Sequence, residues 1–203
     1  MTEKIMVVAS KNRKKAVEMM ELLKGLGWRV LSMVEAGVDI EIEEDGLTFE
    51  ENSYKKAFQV MKATGKTAIA DDSGLEVYAL GGRPGVFSAR FSGEGATDES
   101  NNQKLLEMMK EVPEDGRGAR FVCAATVVFP DGAHFTVTGE CEGRILFEPK
   151  GTGGFGYDPL FYVPDLDKTF AQLDAETKNS ISHRAKAFFK VRELLSCAGG
   201  NKA

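Results

Sequence analysis

The sequence predicts an α/β protein whose sheet is partly parallel and partly antiparallel. An apolar, β-branched run at residues 5–9 leads into a polar turn and a helical pattern, and a second strand pattern follows, as in a βαβ unit. Apolar runs at 119–129 and 133–140 flank Pro130-Asp131-Gly132, which is typical of a hairpin turn. Because βαβ units pair strands in parallel and hairpins pair them antiparallel, a mixed sheet is expected.

The first two helices are marked by apolar spacing and capping residues. The first helix is expected to turn four residues toward the core: Val17, Met20, Leu23 and Leu26. Gly25 and Gly27 end it, and residues 28–34 form a second strand pattern. Thr48, with Glu51 three residues later, forms a capping-box pattern and predicts the start of the second helix.

Two apolar segments flank a pair of acids in the middle of the chain. Residues 68–70 and 75–78 are strand patterns, and we expect a turn at Asp71-Asp72-Ser73-Gly74 between them. The glycine-rich residues 81–96 predict an irregular loop, after which Thr97 caps a helix. A last helix begins near Ser182, with four residues on its apolar face: Ala185, Phe188, Phe189 and Leu195.

Composition limits the class of protein. Hydrophobic residues make up 42% and charged residues 28% of the 203 positions, which is typical of a globular chain with a full core. No apolar run approaches the roughly 20 residues that a membrane-spanning helix needs. The net charge of −5 argues against broad polyanion binding. The length suits one large domain or two fused lobes over residues 1–203, and we expect no nucleic-acid or membrane partners.

The N-terminal residues and the cysteines predict a cellular compartment. Residues 1–4 and the strand pattern after them are too short and too charged for a secretory signal. Cys123, Cys141 and Cys197 are odd in number, widely spaced and lack a CxxC pair, so neither a disulfide framework nor a zinc site is indicated. A cytoplasmic location with reduced thiols is expected.

Three segments carry candidate chemistry. Residues 10–15 (Ser-Lys-Asn-Arg-Lys-Lys) lie where a strand ends and a helix begins, a place where N–H donors and the helix dipole attract phosphate, although such lysines are usually solvated. Glu43-Glu44-Asp45 and Asp71-Asp72 offer the hard oxygen ligands that Mg²⁺ prefers; a solvated acidic run and a turn-forming Asp are the alternatives. Residues 151–158 join four glycines to Phe155 and Tyr157, on which a nucleobase could stack; a glycine hinge is the alternative.

Taken together, the ordered motifs resemble the inosine/xanthosine triphosphate pyrophosphatase family over residues 5 to about 190. The motifs are Ser10-x-Asn12-x-x-Lys15, Glu44-Asp45-Gly46-x-Thr48-Phe49-x-Glu51-Asn52-x-x-x-Lys56-Ala57, Ala70-Asp71-Asp72-Ser73-Gly74-Leu75, Gly82-x-Pro84-Gly85-x-x-Ser88-Ala89-Arg90, Gly151-Thr152-Gly153-Gly154-Phe155-Gly156-Tyr157-Asp158-Pro159 and Ile181-Ser182-His183-Arg184. The resemblance implies an elongated mixed sheet with flanking helices and two lobes around a nucleotide cleft. It also implies a Mg²⁺-dependent homodimer that cleaves ITP, dITP and XTP to the monophosphate and pyrophosphate.

The resemblance assigns roles to individual residues. Asp72 would accept the proton of the attacking water, with Asp71 and Lys15 supporting it, and Glu44 and Asp72 would hold Mg²⁺, although Glu43 stays an alternative to Glu44. Residues expected to bind substrate are Ser10, Lys11, Asn12, Arg13, Lys14, Lys15, Lys56, Ser73, Phe155, Gly156, Tyr157, Asp158, Lys178, His183 and Arg184. Of these, Phe155 would stack on the purine, Tyr157 would shape its pocket, and Asp158, Lys178, His183 and Arg184 would read its edge.

Two other functions compete with this interpretation. A pyrophosphatase of the same fold could act on pyrimidine or modified nucleotides; the Ser182-His183-Arg184 block and the Phe155 loop favour purines. A nucleotide sensor that binds without turnover is the second alternative. The intact acids at 44, 71 and 72 argue against the sensor, since a binder needs no proton acceptor beside a metal.

Overall fold

The computed structural model describes residues 3–199 and shows an α/β fold. Met1 and Thr2, at the start of the N-terminal segment discussed above, and residues 200–203 lie outside the described residues. The strands are β1 (Ile5–Val8), β2 (Arg29–Ser32), β3 (Thr67–Val77), β4 (Gly118–Val128), β5 (His134–Ile145), β6 (Phe161–Val163) and β7 (Lys168–Thr169). The helices are α1 (Arg13–Leu22), α2 (Phe49–Thr64), α3 (Asp98–Met108), α4 (Ala175–Ile181) and α5 (His183–Gly199).

The strands form one sheet in the order β2-β1-β3-β4-β5-β6-β7. Strand β1 pairs in parallel with β2 and with β3, and β6 pairs antiparallel with β5 and with β7. The predicted mixed sheet, the opening βαβ unit and the β4–β5 hairpin are confirmed. Within residues 3–199, no helix has both the length and the apolar character needed to cross a membrane.

The chain divides into two compact units. Among the described residues, the first unit comprises 3–72, 123–139 and 184–199, and the second comprises 73–122 and 140–183. In the first unit, Met6 and Val8 of β1 pack in one apolar cluster with α1 and α5, while Val7 packs in another cluster with α2. Because neighbouring strand residues point to opposite faces, the first unit has a core on both faces of its sheet.

The second unit has a core of its own, rich in aromatic side chains. Phe121, Phe161 and Phe170 are buried together, with ring centroids 4.7–5.7 Å apart. Leu105 and Met109, from α3 and the residue after it, belong to the same cluster. This core lies under the glycine-rich loop at 151–156, whose backbone N–H at Gly153 donates to the carbonyl of Ala171 at 3.0 Å.

The predicted buried faces of the first and last helices are partly wrong. Helix α1 buries Ala16, Met19 and Leu22, whereas Val17 is 55% exposed. Leu23 is buried, and Met20 and Leu26 pack half-buried against the same cluster as predicted, although Leu26 lies beyond the end of α1. In α5, Ala185, Phe188 and Leu195 are buried as predicted, but Phe189 is largely exposed. The mixture of apolar and charged residues around each helix supports more than one periodic face, and packing selects the one that meets the sheet.

The predicted turn at Asp71–Gly74 is wrong, because β3 runs through it without a break from Thr67 to Val77. Adjacent buried carboxylates are costly unless a cation or hydrogen bonds compensate them. The structure meets that cost with cations on both faces of the sheet, as described below. The strand pattern at 28–34 is shorter in the structure, where β2 covers Arg29–Ser32, and the expected loop at 81–96 contains a short 3₁₀ helix at Gly85–Arg90.

The predicted helix caps are present with one difference. The Thr48 hydroxyl accepts the backbone N–H of Glu51 at 3.1 Å, but the Glu51 carboxylate accepts from Leu47 and not from Thr48, so the capping box is incomplete. Thr97 caps α3 and forms a reciprocal box with Ser100. Helix α4 was not predicted; its seven residues are too few for a periodic pattern.

Candidate active site

The predicted phosphate segment forms the start of α1. Asn12 is its N-cap, and Oδ1 accepts the backbone N–H groups of Lys14 and Lys15 at 3.0 and 3.2 Å. Those two donors are therefore used by the helix itself. The side chains of Lys11, Arg13 and Lys14 are exposed, whereas Lys15 is half-buried and lies 3.7 Å from Asp71. Of the four cations in this segment, Lys15 is the one that the fold directs toward the acids.

The two acids of β3 lie on opposite faces of the sheet. Asp71 shares its face with Ile69, which packs with α1 and α5, and Asp72 shares its face with Ala70, which packs with α2. Both are almost completely buried, at 2% and 6% exposure. The two carboxylates therefore have different partners: α1 and α5 supply the cations that contact Asp71, and α2 supplies the side chains that bind Asp72.

Asp71 is held by cations from two helices. Its Oδ2 accepts from Arg184 Nε at 3.1 Å and Nη2 at 2.9 Å, and Lys15 lies nearby. Arg184 Nη1 in turn donates to Glu18 of α1 at 2.5 Å. Burial raises the pKa of the Asp71 carboxyl, but the charges of Lys15 and Arg184 outweigh burial and hold that pKa well below its usual range. Asp71 is therefore a fixed anion.

Asp72 is bound by two side chains of α2. Lys56 Nζ donates to Asp72 Oδ1 at 2.9 Å and to Glu44 Oε2 at 3.1 Å, while Asn52 Nδ2 donates to Asp72 Oδ2 at 3.2 Å. Burial has the largest effect on Asp72 and leaves its pKa above the usual value, although Lys56 and Lys15 oppose it. Burial lowers the pKa of Lys56, but the carboxylates of Asp72, Asp71 and Glu44 together raise it by more than burial lowers it. The charged form of Lys56 is therefore favoured.

The Lys56 ammonium shows that a cation fits between Glu44 and Asp72, since it binds both carboxylates within 3.1 Å. Mg²⁺ is commonly held by one or two protein carboxylates, with water and substrate phosphates completing its shell. No group of three or more His, Cys, Asp and Glu side chains within residues 3–199 is arranged to hold a metal ion by itself. The carboxylates of Glu44 and Asp72 could hold one side of a Mg²⁺ ion whose other ligands come from water and a bound phosphate. Glu44, and not Glu43, is the acid whose carboxylate reaches Lys56.

In the second unit, the glycine-rich loop is closed around a buried ion pair. Asp158 Oδ2 accepts the backbone N–H of Phe155 at 2.9 Å and the Lys178 ammonium at 2.7 Å. Lys178 Nζ lies 4.9 Å from the centroid of the Phe155 ring, in a cation–π contact. Asp158 therefore fixes the position of both the aromatic ring and the charge beside it.

His183 and Tyr157 are both buried in the second unit. The His183 ring stacks on Phe121, with centroids 4.7 Å apart and planes 12° apart. The Tyr157 hydroxyl donates to the carbonyl of Ser88 at 2.9 Å. This bond ties the residue after the glycines to the 3₁₀ helix at Gly85–Arg90.

Gly154 leaves no room for a side chain beside the buried ion pair. Its φ is +73°, and a Cβ there would overlap the Asp158 carboxylate. Gly156 also has a positive φ, of +60°, but its Cβ would meet nothing within 4 Å. We expect Gly156→Ala to lower the free energy of unfolding by about 1–2 kcal/mol through backbone strain.

Gly154→Ala should lose about 1–3 kcal/mol more than Gly156→Ala, because it adds overpacking to the same backbone strain. Urea unfolding of the two variants and the wild type measures both losses. Equal losses in the two variants would contradict the close approach of Asp158 to Gly154.

The structure gives Arg184 different partners from those expected. It was predicted to read a purine edge, yet its guanidinium binds the carboxylates of Asp71 and Glu18 in the first unit. Phe155, Asp158 and Lys178, by contrast, are brought together in the second unit. The role of Arg184 toward a base stays a prediction.

Sequence reasoning missed two residues of these networks, Glu18 and Asn52. Glu18 follows Asp71's partner Lys15 by three positions on α1, a spacing that places side chains on one helix face. Asn52 precedes Lys56 by four positions on α2, which is the same signal. Ser73, also predicted to bind substrate, is a half-buried residue of β3.

Comparison with known proteins identifies the family of this α/β chain. The sequence model of the Ham1 family matches residues 6–194, and the chain belongs to this family. A dITP/XTP pyrophosphatase from Desulforamulus reducens is 54% identical over 191 residues, covering 94% of this chain and 95% of that protein. The protein of the same name from Bacillus subtilis is 49% identical and covers 93% of this chain and 96% of its own length.

Solved structures show the same fold. The Ham1 protein of Staphylococcus aureus superposes with a TM-score of 0.86 at 42% identity, over 96% of this chain and all of that chain. A nucleoside-triphosphatase, or dITP/XTP pyrophosphatase, from Mycobacterium abscessus gives a TM-score of 0.74 at 40% identity, over 92% and 98% of the two chains. The expected family and fold class are confirmed.

Proposed function

We propose that this protein hydrolyses the non-standard purine nucleotides ITP, dITP and XTP to the nucleoside monophosphate and pyrophosphate, and so cleanses the nucleotide pool. Relatives that bear the name dITP/XTP pyrophosphatase are 49–54% identical over nearly the whole chain, which supports the substrate class. The observation that carries the chemistry is the arrangement of Asp72 and Glu44 around the Lys56 ammonium.

In this mechanism, a water molecule attacks the α-phosphorus of the substrate. The new bond joins the water oxygen to that phosphorus, the bond to the bridging oxygen breaks, and pyrophosphate leaves. Asp72 accepts the proton of the water. Lys56 and Lys15 supply positive charge that offsets the charge of the phosphates. Asp71 holds Lys15 and Arg184 in place.

We assign the metal site to Glu44 and Asp72 and propose Mg²⁺ as its occupant. When bound, the ion would neutralise phosphate charge that otherwise repels the attacking water. The hard oxygen ligands and the cation already seated between them support this assignment.

Base recognition is assigned to the second unit. Phe155 stacks on the purine, and Lys178, oriented by Asp158, places an N–H donor beside the same ring. Inosine and xanthosine carry a carbonyl at C6 where adenosine carries an amino group. An N–H donor therefore pairs with the carbonyl of inosine or xanthosine, whereas it finds no acceptor at the amino group of adenosine. This mismatch supports discrimination against ATP of about 10²-fold or more.

The resemblance to the family also supports a homodimer, and the three reduced thiols support a cytoplasmic location. Sedimentation of the purified protein measures the first assignment. A monomer at micromolar concentration would contradict it.

The proposed function is tested by pyrophosphate release from ITP, XTP, dITP, ATP, GTP and dUTP, each with Mg²⁺ and with EDTA. We expect Mg²⁺-dependent release from ITP, XTP and dITP, with the monophosphate as the other product. Turnover of dUTP alone would overturn the base assignment while keeping the acid site. Tight ITP binding without turnover would identify a sensor.

The stacking role of Phe155 is tested by Phe155→Ala. The KM for ITP should rise by about 5- to 150-fold with a smaller change in kcat, because a stacked base is worth about 1–3 kcal/mol. Phe147→Ala is the matched control, since Phe147 is an exposed phenylalanine of the same unit that lies over Arg117. An effect on kcat alone would contradict stacking.

A further inference from the structure

Asn52 joins the acidic loop to Asp72. It is 1% exposed and lies in the first turn of α2. Its Oδ1 accepts the backbone N–H of Gly46 at 2.8 Å, and its Nδ2 donates to the Gly46 carbonyl at 3.4 Å and to Asp72 Oδ2 at 3.2 Å. The Asn52 amide therefore binds the backbone N–H and C=O groups of Gly46 and one carboxylate oxygen of Asp72, the predicted proton acceptor.

The acidic loop at residues 39–48 depends on α2 for its hydrogen bonds. It has no helix or strand, and three of its backbone N–H groups donate to side chains of that helix: Glu43 to Gln59, Gly46 to Asn52 and Leu47 to Glu51. Of these three acceptors, Asn52 is the buried one, and the exposed residues Asp45 and Leu47 flank the buried Gly46. Gly46 is thus the point at which the loop is anchored.

The close approach of Gly46 to Asn52 explains why residue 46 is a glycine. A Cβ at position 46 would lie 2.6 Å from Asn52 Oδ1 and 2.9 Å from Glu51 Cβ. Any side chain would push the loop away from α2. Glu44 lies two residues before this anchor, and its carboxylate reaches the same Lys56 ammonium that binds Asp72.

We propose that Asn52 is a positioning residue that sets the distance between Glu44 and Asp72 and orients the Asp72 carboxylate. Because Asn52 donates to Oδ2, Oδ1 is the oxygen that accepts from Lys56, which also donates to Glu44. The effect on turnover rests on the proposed function, whereas the effect on the loop does not. Partners of this kind, one step removed from a metal, typically change affinity or activity by about 10–100-fold when they are replaced.

Two variants separate the contribution of the Asn52 amide oxygen, an acceptor, from that of the amide nitrogen, a donor. Asn52→Ala removes all three hydrogen bonds. Asn52→Asp keeps an acceptor for the Gly46 N–H but has no donor for Asp72. Ser53→Ala is the matched control: Ser53 is the next residue of α2, is completely buried, and bonds to Glu50 and Thr126, away from the loop.

Hydrogen exchange and Mg²⁺ dependence are the readouts. In Asn52→Ala, amide exchange at residues 43–47 should rise at least about tenfold, and the Mg²⁺ concentration for half-maximal ITP hydrolysis should rise about tenfold or more. Asn52→Asp should keep slow exchange at Gly46 and show the Mg²⁺ shift. Ser53→Ala should show neither change, even if its melting temperature falls as far as that of Asn52→Ala.

Unchanged exchange at residues 43–47 in Asn52→Ala would overturn the anchor. A Mg²⁺ requirement equal to that of Ser53→Ala in both Asn52 variants would overturn the positioning of Asp72 and Glu44. If the wild-type protein does not hydrolyse ITP, the proposed function fails, and the exchange measurement still decides whether Asn52 anchors the loop.

Discussion

Replacing Asp72 with asparagine is expected to lower kcat for ITP by about 10²-fold or more and to leave a folded protein. Asparagine has nearly the same shape as aspartate but cannot take the proton of the attacking water. The amide oxygen of the variant can still accept from the Lys56 ammonium, whereas its amide nitrogen cannot accept from Asn52, so one of the two hydrogen bonds is lost. Steady-state kinetics at saturating ITP and Mg²⁺, with circular dichroism as the check on folding, measure this loss.

Asp45→Asn is the control. It also replaces an aspartate by asparagine and removes one negative charge, but from the acidic loop at residues 39–48. Asp45 is exposed and pairs with Lys55 on the surface, so its loss should change kcat by less than about twofold. If Asp72→Asn keeps more than about a tenth of the wild-type kcat, Asp72 is not the proton acceptor. The chemistry would then belong to another group.

Asp71→Asn is expected to have the largest effect on stability, a loss of about 3–5 kcal/mol in the free energy of unfolding. The reason is that Arg184 is almost completely buried and two of its N–H groups end on Asp71 Oδ2. Removing the negative charge leaves a buried cation with Glu18 as its remaining carboxylate partner. Urea unfolding at pH 7 measures the loss.

The unfolding measurement is made at pH 7 because the pKa of Asp71 is lowered in the folded protein. The folded-state pKa of Asp71 lies below its unfolded value of about 3.9, so its stabilising effect is present at pH 7 and is lost only as the pH falls below that value. Glu21→Gln, which breaks an exposed pair with Lys24, should cost less than about 1 kcal/mol. A loss for Asp71→Asn no larger than that of Glu21→Gln would contradict the buried network.

The fold class could be predicted because its signals are local. The run at residues 5–9, the cap at Thr48 and the Pro-Asp-Gly turn each depend on a few neighbouring residues. Strand β3 could not be predicted as a single element, because its continuity depends on Arg184, more than a hundred residues away, and on Lys56. Without those cations, two adjacent acids are a sound signal for a turn.

The candidate site was predicted in part for the same reason. Asp72, Lys56 and Glu44 have chemistry that is recognisable from their type and order, and the structure brings them together. The signal for Asn52 is weaker: its spacing to Lys56 places both side chains on one helix face, but an amide in the first turn of a helix is usually solvated or a cap. Its importance is visible only once the loop at Gly46 is seen against it.

The most direct test of the central claim is hydrolysis of ITP in H₂¹⁸O with Mg²⁺, followed by mass spectrometry of both products. Attack at the α-phosphorus with Asp72 as proton acceptor predicts one ¹⁸O in the inosine monophosphate and none in the pyrophosphate. Label in pyrophosphate would place the attack on the β-phosphorus, and release of labelled inorganic phosphate with inosine diphosphate would identify a different reaction. Either result would contradict the proposed pyrophosphatase mechanism.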